Sequence, residues 1–386
     1  MTWTSRAIAC CLPLALLGAA PAHVQTADYW GGYAGTHRVP ASEAARALTW
    51  AETNPADSQT LRALGVKTIL YSNPNRIEPS DTMYRDRDEL FAHTCDGSRV
   101  TTHAELRMTD PRANALLDDW KSYVQSHDEQ GHYTAVFEDE AVGTAYSAQQ
   151  PCGYSLQNWI AGEIQLQRRL GYPVIYNALS DMSGGSISPE IALNASAIGG
   201  MMEQCYAQSA PDTRASGSRW EAAENTELQM ARAGKYFFCY GNDLTPAVQA
   251  IESRLYTYAS FLLTYDPRTS VLWEYYGTPS GGHVMPESQL VPFDPVMRSV
   301  PSIDALRQSG GVYVREYRNC SIRGRPIGAC IVAVNPDSVT HTVDFSHWHR
   351  QLQISGSGIF DGGNVAVVSQ RPASDIPPLQ AVIAFR

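Results

Sequence analysis

The stretch Tyr133-Thr-Ala-Val-Phe-Glu-Asp-Glu140 decides how the rest of the chain is read. Apolar and β-branched residues lead into three consecutive carboxylates, so the segment reads as a buried strand with an acidic end. Side chains alternate along a strand, which sends Glu138 and Glu140 one way and Asp139 the other. Like charges this close repel one another and raise proton affinity on at least one group, an arrangement that suits acid/base or nucleophilic chemistry. A solvated strand end is the competing reading, and the flanking sequence has to separate the two.

On both sides of this stretch, strands alternate with helices. Upstream, Asp28–Tyr33 reads as a first strand, Ala41–Trp50 and Ser58–Leu64 as helical, and Val66–Tyr71 as a second strand. A weaker third strand is expected over Ala104–Met108. The helix after it has Thr109-Asp110 as its cap, Pro111 in its first turn and Leu116, Leu117, Trp120 and Val124 at helical spacing. Downstream, helix Ser155–Leu170 ends at Gly171 and precedes a fifth strand, Pro173–Asn177. Ala197–Glu203 is the sixth strand, Lys235–Tyr240 the seventh and Ser270–Tyr276 the eighth, with helices over Arg219–Ala233 and Thr245–Leu263 between them. Eight such alternations predict a (β/α)₈ TIM barrel over residues 23–307. A doubly wound sheet is disfavoured, because no glycine-rich phosphate turn marks one. From residue 308 the pattern changes to short β runs separated by Gly, Pro, Asn and Asp, which predicts a small C-terminal all-β sandwich over 308–386.

The chain has 386 residues, a net charge of −10 and no Lys/Arg run, which argues against nucleic acid and anionic membranes as partners. Its 20 Tyr and 8 Trp offer flat faces of the kind sugar rings stack on, although cores use them too. Arg6, the apolar run Ala7–Ala20 and the small-x-small pattern Ala20-Pro21-Ala22 read as an export signal over residues 1–22. The run is too short to be a comfortable membrane span, and no second candidate follows. A secreted or periplasmic mature protein starting near His23 is expected.

Removal of that signal takes Cys10 and Cys11 and leaves Cys95, Cys152, Cys205, Cys239, Cys320 and Cys330. An even count in an exported chain suggests disulfides. Cys320 and Cys330 flank an arginine/glycine turn and would clip a hairpin. The others could pair as Cys95–Cys152 and Cys205–Cys239, although fifteen pairings are possible in principle. No CxxC or HxH spacing points to zinc, and no metal or cofactor is expected.

Barrel enzymes keep their sites at the carboxyl ends of the strands. Those ends carry Glu138, Asp139 and Glu140 after strand four, Asn177 after strand five and Glu203 after strand six, with Tyr206 just beyond. Asn73, Tyr240, Trp273, Glu274 and Tyr276 complete the candidate rim. Glu203 ends the strand Ile198-Gly-Gly-Met-Met202, which has no other charge, so it is either ion-paired or functional. Two carboxylates across a barrel mouth are what glycoside hydrolysis needs: one protonates the leaving oxygen, and the other attacks the anomeric carbon or activates water.

The succession Val-Phe-Glu-Asp-Glu140, Tyr154-Ser-Leu-Gln-Asn-Trp-Ile160, Pro173-Val-Ile-Tyr-Asn177 and Gly199-Gly-Met-Met-Glu203 resembles the GHL15-type group of glycoside hydrolase barrels. More distantly it is similar to α-galactosidase-like and polygalactosaminidase-like barrels. The Val312-Tyr-Val-Arg-Glu-Tyr317 strand and the Val334-Asn-Pro336 turn are also typical of the small β domain in that group. The resemblance spans most of residues 66–386 and implies Asp139 as nucleophile or base and Glu203 as general acid. It departs where an apolar residue usually precedes the key Asp and Glu138 stands instead, which leaves roles open for Glu138 and Glu140. The expected activity is hydrolysis of an oligo- or polysaccharide. The alternative is a sugar-binding protein that has lost catalysis on the same scaffold. A serine hydrolase would need a GxSxG elbow and a metal-dependent deacetylase clustered His and Asp, and neither pattern is present.

Overall fold

The computed structural model describes residues 21–31, 39–77, 87–101, 107–141, 149–179, 191, 193–194, 196–208, 213–242, 248–275 and 284–386. Most of the export-signal segment, Tyr276 and the side chain of Glu274 lie outside the described residues. Eight parallel strands close into a barrel: β1 (Gln25–Trp30), β2 (Trp50–Thr53), β3 (Lys67–Ser72), β4 (Ala135–Glu138), β5 (Val174–Asn177), β6 (Ala197–Glu203), β7 (Tyr236–Asn242) and β8 (Ser270–Tyr275). Closure is made by β1 against β8, where Ala27 pairs with Trp273.

Strands four to eight fall where the sequence places them, and the first half of the barrel is renumbered. The second strand is Trp50–Thr53, in a region read as the end of a helix, so the expected second strand is β3. The helix before it shrinks to α1 (Ala41–Ala44). Of the expected third strand, Arg107–Met108 pairs with Arg76–Ile77, and Arg107 also bridges Thr101, all outside the barrel, while 104–106 lie outside the described residues. A strand as short as Trp-Ala-Glu-Thr has too few β-branched residues to stand out locally. It is fixed by its parallel pairing with β1 and β3 on either side.

The helices follow ordinary stop and start chemistry. In α2 (Pro55–Ala63), Asn54 accepts from the Asp57 amide and Pro55 occupies the first turn. Next comes α3 (Asn114–Gly131), which starts later than the expected Thr109-Asp110 cap: Ala113 stands at the cap position with no side-chain bond, while Thr109 donates to the Pro74 carbonyl and Asp110 accepts from Arg112. In α4 (Leu156–Leu170), Ser155 and Asn158 form a reciprocal capping box, and Gly171 takes the left-handed conformation that ends the helix. α5 (Gly217–Arg232) and α6 (Val248–Thr264) complete the set that bears on the site.

Inside the barrel, alternate residues of each strand stack into one cluster, including Trp50, Phe137, Ile175, Met201, Phe238 and Trp273. The intervening residues, such as Leu70, Val136, Tyr176 and Met202, pack outward among the helices. Between β5 and β6 the register slips by one residue, with Val174 opposite Ala197 and Ile175 opposite Gly199. Gly199 is required there, because a Cβ would run into the backbone of Tyr236 on β7. Beyond the slip, Asn177 pairs with Met201, and Glu203, the last residue of β6, pairs with Tyr240 of β7.

A six-stranded antiparallel sheet follows, in the order β9 (Leu290–Pro295), β10 (Tyr313–Ile322), β11 (Arg325–Asn335), β14 (Gln380–Phe385), β12 (Arg350–Ser355), β13 (Asn364–Val368). It takes in Leu290–Pro295, ahead of the change of pattern at 308. Its alternation is regular: Val332, Val334, Ile383 and Phe385 join the core that contains α6. Ile331, Ala333 and Ala384 face a second, smaller layer around Val343, Phe345 and Trp348. Arg254 of α6 is buried and pairs with buried Glu287 at 2.9 and 2.5 Å while also donating to the Gly356 carbonyl, so barrel and sheet share polar as well as apolar contacts.

The six cysteines beyond residue 22 are joined, as Cys95–Cys152, Cys205–Cys239 and Cys320–Cys330. Their Cα separations of 4.6, 5.3 and 6.1 Å suit bridging. Among the described residues no helix is long and apolar enough to cross a membrane.

Candidate active site

Strand parity sorts the three acids of the opening stretch. Ala135 and Phe137 point into the barrel, so Val136 and Glu138 point out. Glu138 is fully buried against α4, where it accepts from Gln167 Nε2 at 2.5 Å. It therefore offers no surface to a substrate, contrary to the expectation from sequence. Asp139 turns inward at the barrel mouth. Glu140 then adopts a left-handed backbone (φ 55°), which breaks the alternation and lets its carboxylate pair with Arg76.

Asp139 is held from three sides. Tyr71 Oη donates to Oδ2 at 2.8 Å, while Asn177 Nδ2 at 3.0 Å and the Glu140 amide at 2.9 Å donate to Oδ1. Its own amide donates to the Ser72 carbonyl at 2.9 Å, which seats the residue against β3. The same Asn177 nitrogen also donates to Glu203 Oε2 at 3.1 Å. One amide thus spans Asp139 and Glu203, and the two nearest oxygens can be no farther apart than those two bonds laid end to end.

Glu203 is followed by Gln204, another non-glycine residue in the left-handed region (φ 55°). Each inward acid is thus followed at once by a residue in a backbone conformation that L residues seldom adopt. After Gln204 the chain is pinned at once: the Cys205 amide donates to the Tyr240 carbonyl at 3.0 Å, and Cys205 is bridged to Cys239 on β7. Burial pushes the Glu203 carboxyl above its ordinary value and the Asp139 charge pushes it further, against the hydrogen bond from Asn177. Glu140 is pushed up to about 7, by burial first, with Arg76 opposing.

The floor of the mouth is aromatic. Tyr29 packs on Trp273 with ring centroids 5.0 Å apart and edge-on to Tyr240 at 6.2 Å. The Tyr29 phenol is held well above its ordinary value by burial, then by Tyr240, Glu52, Asp139 and Glu203, which places these groups around one point. Trp273 is fully buried among these rings and supports the floor instead of meeting solvent. Tyr206 is displaced more completely. It lies outside the barrel beside buried Glu224 and Glu227 of α5, whose charges, after burial, hold its hydroxyl up. Asn73 uses its oxygen to accept from the Arg76 amide at 3.1 Å in the turn after β3.

Asp139, Asn177, Glu203 and Tyr240 are therefore brought together, while Glu138, Tyr206, Trp273 and Asn73 serve the scaffold. Tyr29, Glu52 and Tyr71 complete the mouth and were not singled out from the sequence. Inward parity with Ala27, Trp50 and Ile69, two residues earlier on the same strands, was the available signal. Among the described residues no group of three or more His, Cys, Asp or Glu is placed to hold a metal ion.

No family model and no curated protein sequence matches the chain. Solved structures similar to it include glycoside hydrolases. One is the glycoside hydrolase domain of PelA from Pseudomonas aeruginosa, 12% identical with a TM-score of 0.48, over 66% of this chain and 96% of that one. Another is Ega3 from Aspergillus fumigatus in complex with galactosamine, 11% identical with a TM-score of 0.45, over 69% and 96% of the respective chains. A third is the GH36 α-galactosidase AgaA from Geobacillus stearothermophilus in complex with raffinose, 11% identical with a TM-score of 0.40, over 85% of this chain and 45% of that one.

Proposed function

We propose that the protein is an exported glycoside hydrolase that cleaves O-glycosidic bonds of an oligo- or polysaccharide with Glu203 as general acid and Asp139 as nucleophile. The observation that carries this reading is the single Asn177 nitrogen shared by the two carboxylates. Burial and a neighbouring anion favour the protonated form of Glu203, the form an acid needs in order to donate to a leaving oxygen. Asp139, with three donors on its oxygens, is held as an acceptor whose direction is fixed.

In the first step Glu203 gives its proton to the glycosidic oxygen while Asp139 attacks the anomeric carbon, forming a glycosyl ester and releasing the leaving sugar. In the second, ionised Glu203 takes a proton from water, which displaces Asp139 and regenerates the free carboxylate. Inverting enzymes need about 6.5–9.5 Å between carboxyl groups to seat water, and retaining ones about 5–5.5 Å. Two oxygens sharing one amide nitrogen fit the shorter spacing, which supports retention of anomeric configuration. This chemistry uses no cofactor. Three disulfides support an oxidising compartment, in keeping with an export signal over residues 1–22.

A glycan-panel hydrolysis assay on the wild type beside Asp139→Asn and Glu203→Gln tests the reading, with product anomers followed by NMR. Both variants should lose roughly 10³-fold or more in kcat, and the first product should keep its anomeric configuration. Cleavage that survives both substitutions refutes the assignment. A wild type that binds glycans and cleaves none would favour a sugar-binding protein on a hydrolase scaffold.

A further inference from the structure

We propose that Glu138 and Glu163 form a carboxyl pair sharing one proton, with Glu163 donating to ionised Glu138, and that this pair positions Asp139. The inference rests on the reading of Asp139 as the attacking carboxylate. Glu138 ends β4, and Asp139 is the next residue. Both glutamates are buried, 0% and 1% exposed, and their side chains are hydrogen-bonded to each other. Two bare carboxylates have only acceptor atoms, so one of them must carry a proton.

The other partners of Glu138 decide which one. Asn75 Nδ2 donates to Oε1 at 3.4 Å and Gln167 Nε2 to Oε2 at 2.5 Å, so both oxygens already act as acceptors. Glu163 is then the donor, and its Oε2 has no partner among the described residues, a condition a neutral acid tolerates better than a carboxylate. From this pair, hydrogen bonds run toward both catalytic strands. The Asn75 nitrogen also donates to the Asp139 carbonyl at 2.9 Å. Gln167 Oε1 accepts from Asn194, whose side-chain oxygen in turn accepts from the Ser196 and Ala197 amides at the foot of β6, the strand that ends in Glu203.

The charged groups around the pair are few. Asp110, ahead of α3, raises the proton affinity of Glu163, and Arg76, after β3, is engaged by Glu140. Burial pushes Glu138 up to about 7, with hydrogen bonds from Gln167, Asn75 and Glu163 opposing, and it pushes Glu163 well above its ordinary range. Both directions agree with a proton on Glu163, which the donors already on both oxygens of Glu138 require.

The two conservative substitutions are not equivalent. Glu163→Gln keeps a donor facing Glu138, whereas Glu138→Gln places an amide NH₂ among three donors. In the full-length chain, E163Q should stay within about threefold of wild type in kcat, while E138Q should lose about tenfold or more in kcat with little change in KM. At pH 8, the infrared difference between wild type and E163Q should show the loss of one protonated-carboxyl C=O stretch beyond the contribution of Glu227, and D139N should leave that stretch in place. If E138Q does not fold, E163Q still decides through its melting temperature and its infrared band. An E163Q that is crippled, an E138Q that is tolerated, or an unchanged band overturns the pair. The infrared and melting readings need no substrate, so failure to find a cleaved glycan would count against the hydrolase reading alone.

Discussion

Tyr71 donates its phenolic hydroxyl to Asp139 Oδ2 at 2.8 Å, while its ring stacks on Phe137 with centroids 6.1 Å apart. The ring supplies packing and the hydroxyl supplies orientation, so the two can be separated. Tyr71→Phe should lower kcat about tenfold, with KM and melting temperature little changed. Steady-state kinetics beside a thermal melt check this. A loss confined to stability would assign Tyr71 to packing alone.

Asn177→Ala removes the donor common to both acids and should reduce kcat/KM about 10²-fold. The pH profile should change as well. The hydrogen bond from Asn177 lowers the Glu203 value, so its loss raises that value further. A general acid must be protonated to act, and its ionisation forms the alkaline limb of the profile. That limb should therefore move to higher pH in the variant. An unmoved limb would separate Asn177 from Glu203.

The last five barrel strands were legible because each is a compact apolar run, and β5 also follows a well-bracketed helix, with Ser155 and Gly171 at the ends of α4. Trp50–Thr53 was not legible, since its inward pair, Trp50 and Glu52, is half charged, and only neighbouring strands define it. The acids of the site followed from position at strand ends, but their directions depended on backbone detail. Alternation correctly separates Glu138 from Asp139, whereas Glu140 escapes it through a left-handed φ and a partner, Arg76, that is distant in sequence. Tyr206 shows the opposite failure. It lies close to Glu203 in sequence, yet Cys205 is bridged to Cys239, and Tyr206 lies in the layer behind the barrel wall.

The Cys205–Cys239 bridge closes directly behind Glu203, whereas Cys320–Cys330 lies within the C-terminal sheet. Removing either pair as a double alanine variant should cost about 2–4 kcal/mol in stability. Only C205A/C239A should also reduce kcat, because it frees the chain just after the acid. Chemical denaturation and kinetics on both variants check the contrast, and equal kinetic losses would contradict it.

A buried acidic cluster behind the barrel predicts how stability responds to pH. Glu227 accepts from Ser270 at 2.5 Å and Thr264 at 2.9 Å, and burial still pushes it up to about 8. The folded state then binds a proton that the unfolded state releases near its ordinary value of 4.5. Stability from this group is complete below about 4.5 and is lost as pH rises through about 8. Glu227→Gln should flatten that decline and make the protein more stable than wild type above pH 8, on the order of a few kcal/mol. Melting temperatures across pH 5 to 9 decide, and parallel curves for the two proteins would refute the prediction.

α6 is apolar on two opposite sides, with Tyr256 and Leu263 on one and Tyr258 and Leu262 on the other, and all four are in one core with Val332, Val334, Ile383 and Phe385 of the terminal sheet. A helix of the barrel's outer ring normally turns its far side to water, and this one has an apolar far side. The sheet therefore completes the barrel's folding unit and is no detachable appendage. Heating should melt the two in a single calorimetric transition, and a chain ended after the last barrel strand, β8, would expose an adhesive, aggregation-prone surface in place of an independent enzyme.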